Sequence, residues 1–154
     1  MAAVPFHEYP HRGELMKRAP EIMDAVMRRS AGKGKDWGGR LDVEGAIAVA
    51  QALANGQEIA GLEAYVLNNS HLLIFSMGAP WYAFREVWLI EQFFIRIGRG
   101  PLDAALHDLD ILARDRSAKR IVMATSLAAD DSALGRLYGR NGYRPDSTQH
   151  IKDL

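Results

Sequence analysis

Apolar residues recur at helical spacing in four stretches of this chain and gather into strand-length runs in six others, with breaks on glycine, proline and asparagine. Within residues 14–30, Leu15, Met16, Ala19, Ile22, Met23, Val26 and Met27 share one helical face. Pro20 breaks or restarts that helix and Gly32 stops it. Asp42 is suited to N-cap a second helix with Ala46, Val49, Ala50 and Leu53 inward, ended by Asn55-Gly56. Pro101 suits the first position of a third, striped by Leu102, Ala105, Leu106, Leu109, Leu112 and Ala113 as far as Arg116. Asp130 or Asp131 caps a fourth, which turns Ala133, Leu134, Leu137 and Tyr138 inward and closes at Asn141-Gly142.

Residues 3–9 read as a short strand that Pro5 and Pro10 keep at an edge. Residues 59–67 and 71–77 flank Asn68-Asn69-Ser70 and predict an antiparallel hairpin. Residues 87–95 are apolar on both faces except at Glu91 and Gln92, the pattern of a central strand covered on both sides. Residues 119–125 contain Ile121-Val122-Met123-Ala124 and, following a helix, predict a parallel strand reached by a right-handed crossover. Residues 143–151 predict a last strand, placed at an edge by Pro145. The order is β-α-α-β-β-β-α-β-α-β, an α/β (α+β) fold with a mixed sheet flanked by helices.

Composition narrows the chemistry. A length of 154 residues with 48% apolar content suits one domain spanning 1–154. With 19 basic and 19 acidic residues there is no global field to draw nucleic acid or an anionic membrane, so any anion site must be local. Absence of cysteine excludes disulfides, thiolate metal sites and a cysteine nucleophile. The start of the chain lacks the pattern of a signal peptide and no run reaches the roughly 18 apolar residues of a membrane span, so a soluble, cytoplasmic protein is expected. Arg28, Arg29, Lys33, Lys35 and Arg40 surround Trp37 with only Asp36 opposing; the glycines among them form neither a P-loop nor a dinucleotide fingerprint, and the stretch reads as a solvated mobile loop, with a site for an acidic substrate or partner as the alternative. His7 and His11 are separated by Pro10 and cannot pair on a helix, so no metal is expected; His71, His107 and His150 are isolated.

Three features carry candidate chemistry. Gly98-Arg99-Gly100 joins a buried strand to a helix N-terminus, where free backbone N–H groups and a partial positive charge favour a phosphate. Glu91 lies in an otherwise apolar strand, where desolvation raises its pKa and suits it to take a proton from an amine. By strict alternation it shares a face with Leu89 and Phe93, and Gln92 with Ile90 and Phe94. Tyr138 is at helical spacing from Leu134 and Leu137, and so is a core position as well as a phenolic proton donor.

The junction Phe94-Ile95-Arg96-Ile97-Gly98-Arg99-Gly100-Pro101-Leu102 and the run from Ser132 to Pro145, with its Leu137-Tyr138-x-x-x-Gly142-Tyr143 element, resemble the GNAT superfamily of acyl-CoA N-acyltransferases. The chain is also similar in length and pattern to GNAT-like proteins encoded by bacteriophages. The resemblance implies a GNAT-like sheet, acetyl-CoA as co-substrate, and direct transfer of the acetyl group to an amine on a small molecule or a protein. It implies that Phe93, Phe94, Ile95 and Arg96 hold the pantetheine and Gly98, Arg99 and Gly100 the pyrophosphate, with Glu91 as general base and Tyr138 as acid. The loop departs from the family's [QR]-x-x-G-x-[GA] in placing Ile95 at the polar leader, and Asp103 competes for the same positive helix end. The other reading is a catalytically inactive GNAT-fold protein with a binding or structural role, such as a virion or host-interaction protein. A homodimer or assembly partner fits either reading.

Overall fold

The computed structural model describes residues 3–32, 42–124, 131–146 and 152. The basic loop around Trp37, Asp130, Thr125, His150 and the expected last strand beyond Asp146 lie outside them. The described elements are β1 (Ala3–Pro5), α1 (Arg12–Lys17), α2 (Ala19–Gly32), α3 (Val43–Ala54), β2 (Leu62–Leu67), β3 (His71–Gly78), β4 (Trp88–Arg96), α4 (Leu102–Asp115), β5 (Arg120–Val122) and α5 (Asp131–Arg140). Short 3-10 turns cover Phe6–Glu8 and Trp81–Ala83. None of the described helices is long and apolar enough to cross a membrane.

One five-stranded sheet has the order β1-β2-β3-β4-β5, antiparallel except for the parallel pair β4–β5. The predicted hairpin forms, and Asn68 and Asn69 both take the positive φ that its turn demands. Several boundaries differ from the sequence reading. β1 ends at Pro5, still opposite Tyr65, and the chain leaves the ladder at Phe6, where a 3-10 turn starts. β2 starts three residues late because Ala60 and Gly61 both turn left-handed and Leu62 N–H donates to Ile59 O at 2.7 Å. β4 lies between β3 and β5 and contributes to both cores, as its two-sided apolar pattern predicts, although β5 meets only Trp88, Leu89 and Ile90. Tyr143 to Asp146 do not begin a strand.

Pro20 restarts the first helix as expected: the break falls at Arg18, and Pro20 sits in the first turn of α2, where a missing N–H costs nothing. Asp42 caps α3 by accepting from Gly45 N–H at 2.8 Å. Pro101 precedes α4 in an extended conformation (ψ 140°) instead of opening the helix. At the end of α5, Gly142 N–H donates to Gly139 O and Tyr143 N–H to Tyr138 O, with Gly142 left-handed, the paired closure that Asn141-Gly142 signals. α4 ends the same way on Ser117, which carries no such signal.

The two faces of the sheet bury separate cores. Leu67, Leu73, Phe75 and Leu89 pack with Ala105, Leu106, Leu109 and Leu112 of α4 and Tyr138 of α5. Val66, Leu72, Ile74 and Ile95 pack with Leu15, Val26 and Leu53 of α1 to α3. Each fully buried Leu or Phe contributes about 1.5–3 kcal/mol through removal of apolar surface from water. The Arg116 guanidinium, at the end of α4, clamps this layer to β2 by donating to both carboxylate oxygens of Glu63 and to Tyr65 Oη at 3.1 Å. Replacing it by methionine keeps the stem but leaves Glu63 half-buried and unpaired, and is expected to lower stability by about 1–3 kcal/mol in urea unfolding.

Candidate functional site

Glu91 is positioned by a bulge. β3 pairs Ile74 with Phe93 and Phe75 with Glu91, so Gln92 is an extra residue with no partner on β3. Strict alternation is therefore broken. Glu91 stays on the face of Leu89 and Phe75, toward α4 and α5, but Phe93 moves to the opposite core and Phe94 takes its place on the Glu91 side. Gln92 is exposed and donates to Ser76 Oγ at 3.1 Å.

The bulge coincides with the end of the β4–β5 pair. Beyond Ile90, β5 leaves β4, and among the described residues nothing pairs with that edge of β4 from Glu91 to Arg96. Where the strands part, the Glu91 side chain takes over from the ladder: Ala124 N–H donates to Glu91 Oε2 at 2.6 Å. Ala124 O accepts from the Tyr138 hydroxyl at 3.1 Å. Glu91 and Tyr138, 47 positions apart in sequence, are thus joined through a single residue's two backbone groups. Ala124 acts through its main chain alone, so no side-chain pattern could have marked it.

Burial pushes the Glu91 carboxyl up to about 7, against the opposing pull of the Ala124 N–H bond. Tyr138 is 6% exposed. Burial, then the negative charge of Glu91, then Tyr143 hold its phenol well above the ordinary tyrosine value. The Tyr143 ring lies against Tyr138 at 5.2 Å between centroids, and its own hydroxyl is buried without a hydrogen-bond partner among the described residues.

The 97–100 loop is more committed to the fold than its glycines suggest. Ser70 O accepts from Ile97 N–H at 2.8 Å and from Gly98 N–H at 3.1 Å, so the Gly98 amide is already engaged. A Cβ on Gly98 would stand 3.0 Å from Asn69 O, and one on Gly100 2.7 Å from Ser70 Cβ. Both glycines let the loop lie on the β2–β3 turn. Ser70, read from sequence only as a turn residue, is held from behind by His71, whose Nδ1 is 2.8 Å from its Oγ. His71 is buried, stacks on Phe94, and is lowered to about 4 by burial and by the Arg96 charge, so it is neutral at pH 7.

The start of α4 remains open to an anion. Pro101 provides no side-chain cap, and the first-turn N–H groups have no intrahelical acceptors. Asp103 is turned aside onto α5, where Arg140 and Asn141 each donate to it at 2.7 Å and hold its carboxyl below the ordinary range, the Asn141 bond contributing most. Arg99 is exposed beside this end. The residues present fit an acyl-CoA in two places, the edge of β4 from Phe93 to Arg96 and the Arg99–α4 turn, with the Gly98 amide excluded.

The sequence matches no protein-family model and no curated protein. Among solved structures it is similar to one described as "a probable acetyltransferase", with a TM-score of 0.52 over 90% of this chain and 95% of that chain, at 14% identity. The likeness shows the fold, a GNAT-like mixed sheet with helices on both faces. Nothing in it bears on a bacteriophage source.

Proposed function

We propose that the protein is an acyl-CoA-dependent N-acyltransferase, using acetyl-CoA, that transfers the acyl group directly to an amine. The observation that carries this reading is the convergence of Glu91 and Tyr138 on Ala124, where β4 loses its partner. Acetyl-CoA would supply the activated acyl group as a thioester. The edge of β4 beyond Ile90 offers backbone donors and acceptors for the amides of a pantetheine, and Arg99 with the α4 turn offers positive charge for its phosphates.

Glu91, with its carboxyl near neutrality, takes the proton of the attacking amine. Tyr138 stays protonated and, as the thiolate forms, turns its single O–H from Ala124 O to the departing sulfur. The two are linked: the Glu91 charge is one of the causes that raise the Tyr138 phenol, so uptake of the amine proton by Glu91 makes Tyr138 the better donor just as the thiolate forms. Tyr138→Phe should lower kcat about 10²-fold with the KM for acetyl-CoA little changed. A coupled thiol-release assay with a panel of peptide, lysine, polyamine and aminoglycoside amines tests this; unchanged kcat would remove Tyr138 from the reaction.

The Gly98 amide bonded to Ser70 O favours a second reading, a GNAT-fold binding protein without turnover. No thiol release with any amine of the panel, together with no acetyl-CoA binding, would select it.

A further inference from the structure

The segment joining β3 to β4 presents aromatic rings to solvent that the proposed chemistry does not use. Trp81 is 87% exposed, Phe84 75% and Tyr82 66%, within four residues, and Val87, just before β4, is exposed as well. The rings are ordered against one another and the sheet: Trp81 meets Tyr82 edge-on at 5.8 Å, and Tyr82 meets Trp88 at 6.3 Å. Lys119 N–H donates to Val87 O at 2.7 Å, which fixes β5 beside the patch.

The rim is cationic. Arg85 lies over the Phe84 ring at 5.6 Å, Arg120 over Trp88 at 5.0 Å, and Lys119, next to Arg120 and bonded through its backbone to Val87, is exposed. The one carboxylate of the segment, Glu86, is engaged by the Trp88 indole N–H at 2.6 Å. A shallow hollow of about 240 Å³ bounded by Tyr82, Ala83, Phe84, Arg85 and Glu86 has room for one apolar side chain. Small ligands are held in deep concave sites, whereas open surfaces with exposed Trp, Tyr, Phe and Arg are the composition of polypeptide contacts.

We propose that Trp81, Tyr82, Phe84 and Val87, rimmed by Arg85, Lys119 and Arg120, dock an acidic polypeptide segment bearing apolar side chains. The patch surrounds the start of β4 beside Trp88, which alternates to the face opposite Leu89 and Glu91, so the docking is independent of the reaction proposed above.

The test uses fluorescein-labelled decapeptide pools with free N-termini: Asp/Glu with Leu/Phe, Lys/Arg with Leu/Phe, and Ser/Gly. In fluorescence anisotropy the acidic-apolar pool is expected to bind at least tenfold more tightly than either other pool. Trp81→Ala with Phe84→Ala should abolish that preference with melting temperature unchanged, since both side chains are exposed, and Arg85→Glu with Lys119→Glu should shift it to the basic pool. Equal binding of the pools, binding unaffected by the aromatic substitutions, or a patch engaged only by a second copy of the chain in sedimentation or only by phosphatidylglycerol vesicles would overturn the proposal. Acetyl-CoA titration of the same samples separates the two ideas: peptide preference without acetyl-CoA binding removes the enzymatic reading alone, and acetyl-CoA binding without peptide preference removes the docking surface alone.

Discussion

Glu91→Gln is expected to lower kcat about 10²–10⁴-fold while leaving the affinity for acetyl-CoA within a few-fold of the parent. Glutamine has the shape of the carboxylate and can still accept from Ala124 N–H, so the junction between β4 and β5 is kept and only the base is lost. In the parent protein, kcat should rise with pH through about 7 and level above it, because the base works only when ionised. The variant's residual rate should lack that limb. Stability should move the other way. Glu91 carries a folded-state pKa raised from 4.5 to about 7, so the folded form binds the proton more tightly than the unfolded chain, and stability falls as pH rises through that window. The variant escapes this loss. Urea unfolding should find it more stable than the parent by about 1–3 kcal/mol at pH 8, with the difference vanishing below about pH 4.5. A variant that is inactive because it is unfolded would show the opposite.

The second large effect is expected at Gly100. A methyl group there would stand 2.7 Å from Ser70 Cβ and 2.9 Å from its hydroxyl, inside van der Waals contact, so Gly100→Ala must push the 97–100 loop off the turn that supports it. It should cost about 1–3 kcal/mol of stability and raise the KM for acetyl-CoA at least tenfold, with kcat at saturation much less affected. Gly135→Ala, in the middle of α5, is the control. A Cβ at Gly135 meets nothing within 4 Å, so the same substitution should stabilise the helix by about 0.5–1 kcal/mol and leave KM alone. Equal effects at the two positions in thermal melts would mean that the loop is not seated on Ser70.

Much of this architecture is legible in the sequence because the signals are local. The Asn68-Asn69 turn, the Asp42 cap, the restart at Pro20 and the stripe of α4 each act within a few residues, and all form where the pattern puts them. What is not legible depends on distant main chain. The bulge at Gln92 has no sequence mark, since it arises from the register with β3, and it moves Phe93 and Phe94 to the faces opposite those that alternation assigns. The site divides in the same way. Burial of Glu91 follows from its apolar neighbours, and Tyr138 from its place on the inward face of α5, but Ala124, which joins them, contributes only an N–H and a C=O. Gly98 and Gly100 look like a phosphate cradle in sequence; in the fold their freedom is used largely to meet Ser70 and Asn69.

Turnover requires that the edge of β4 beyond Ile90 and the turn into α4 receive acetyl-CoA. Calorimetric titration with acetyl-CoA, followed by amide hydrogen exchange on the same sample, measures both. Saturable binding is expected, with new protection of backbone amides on the edge of β4 between Phe93 and Arg96, at Arg99 and in the first turn of α4, and no change at Ile97 and Gly98, already bonded to Ser70 O, or in the hairpin turn at Asn68 and Asn69. Absence of heat and of protection at millimolar acetyl-CoA would contradict the account and leave only the fold.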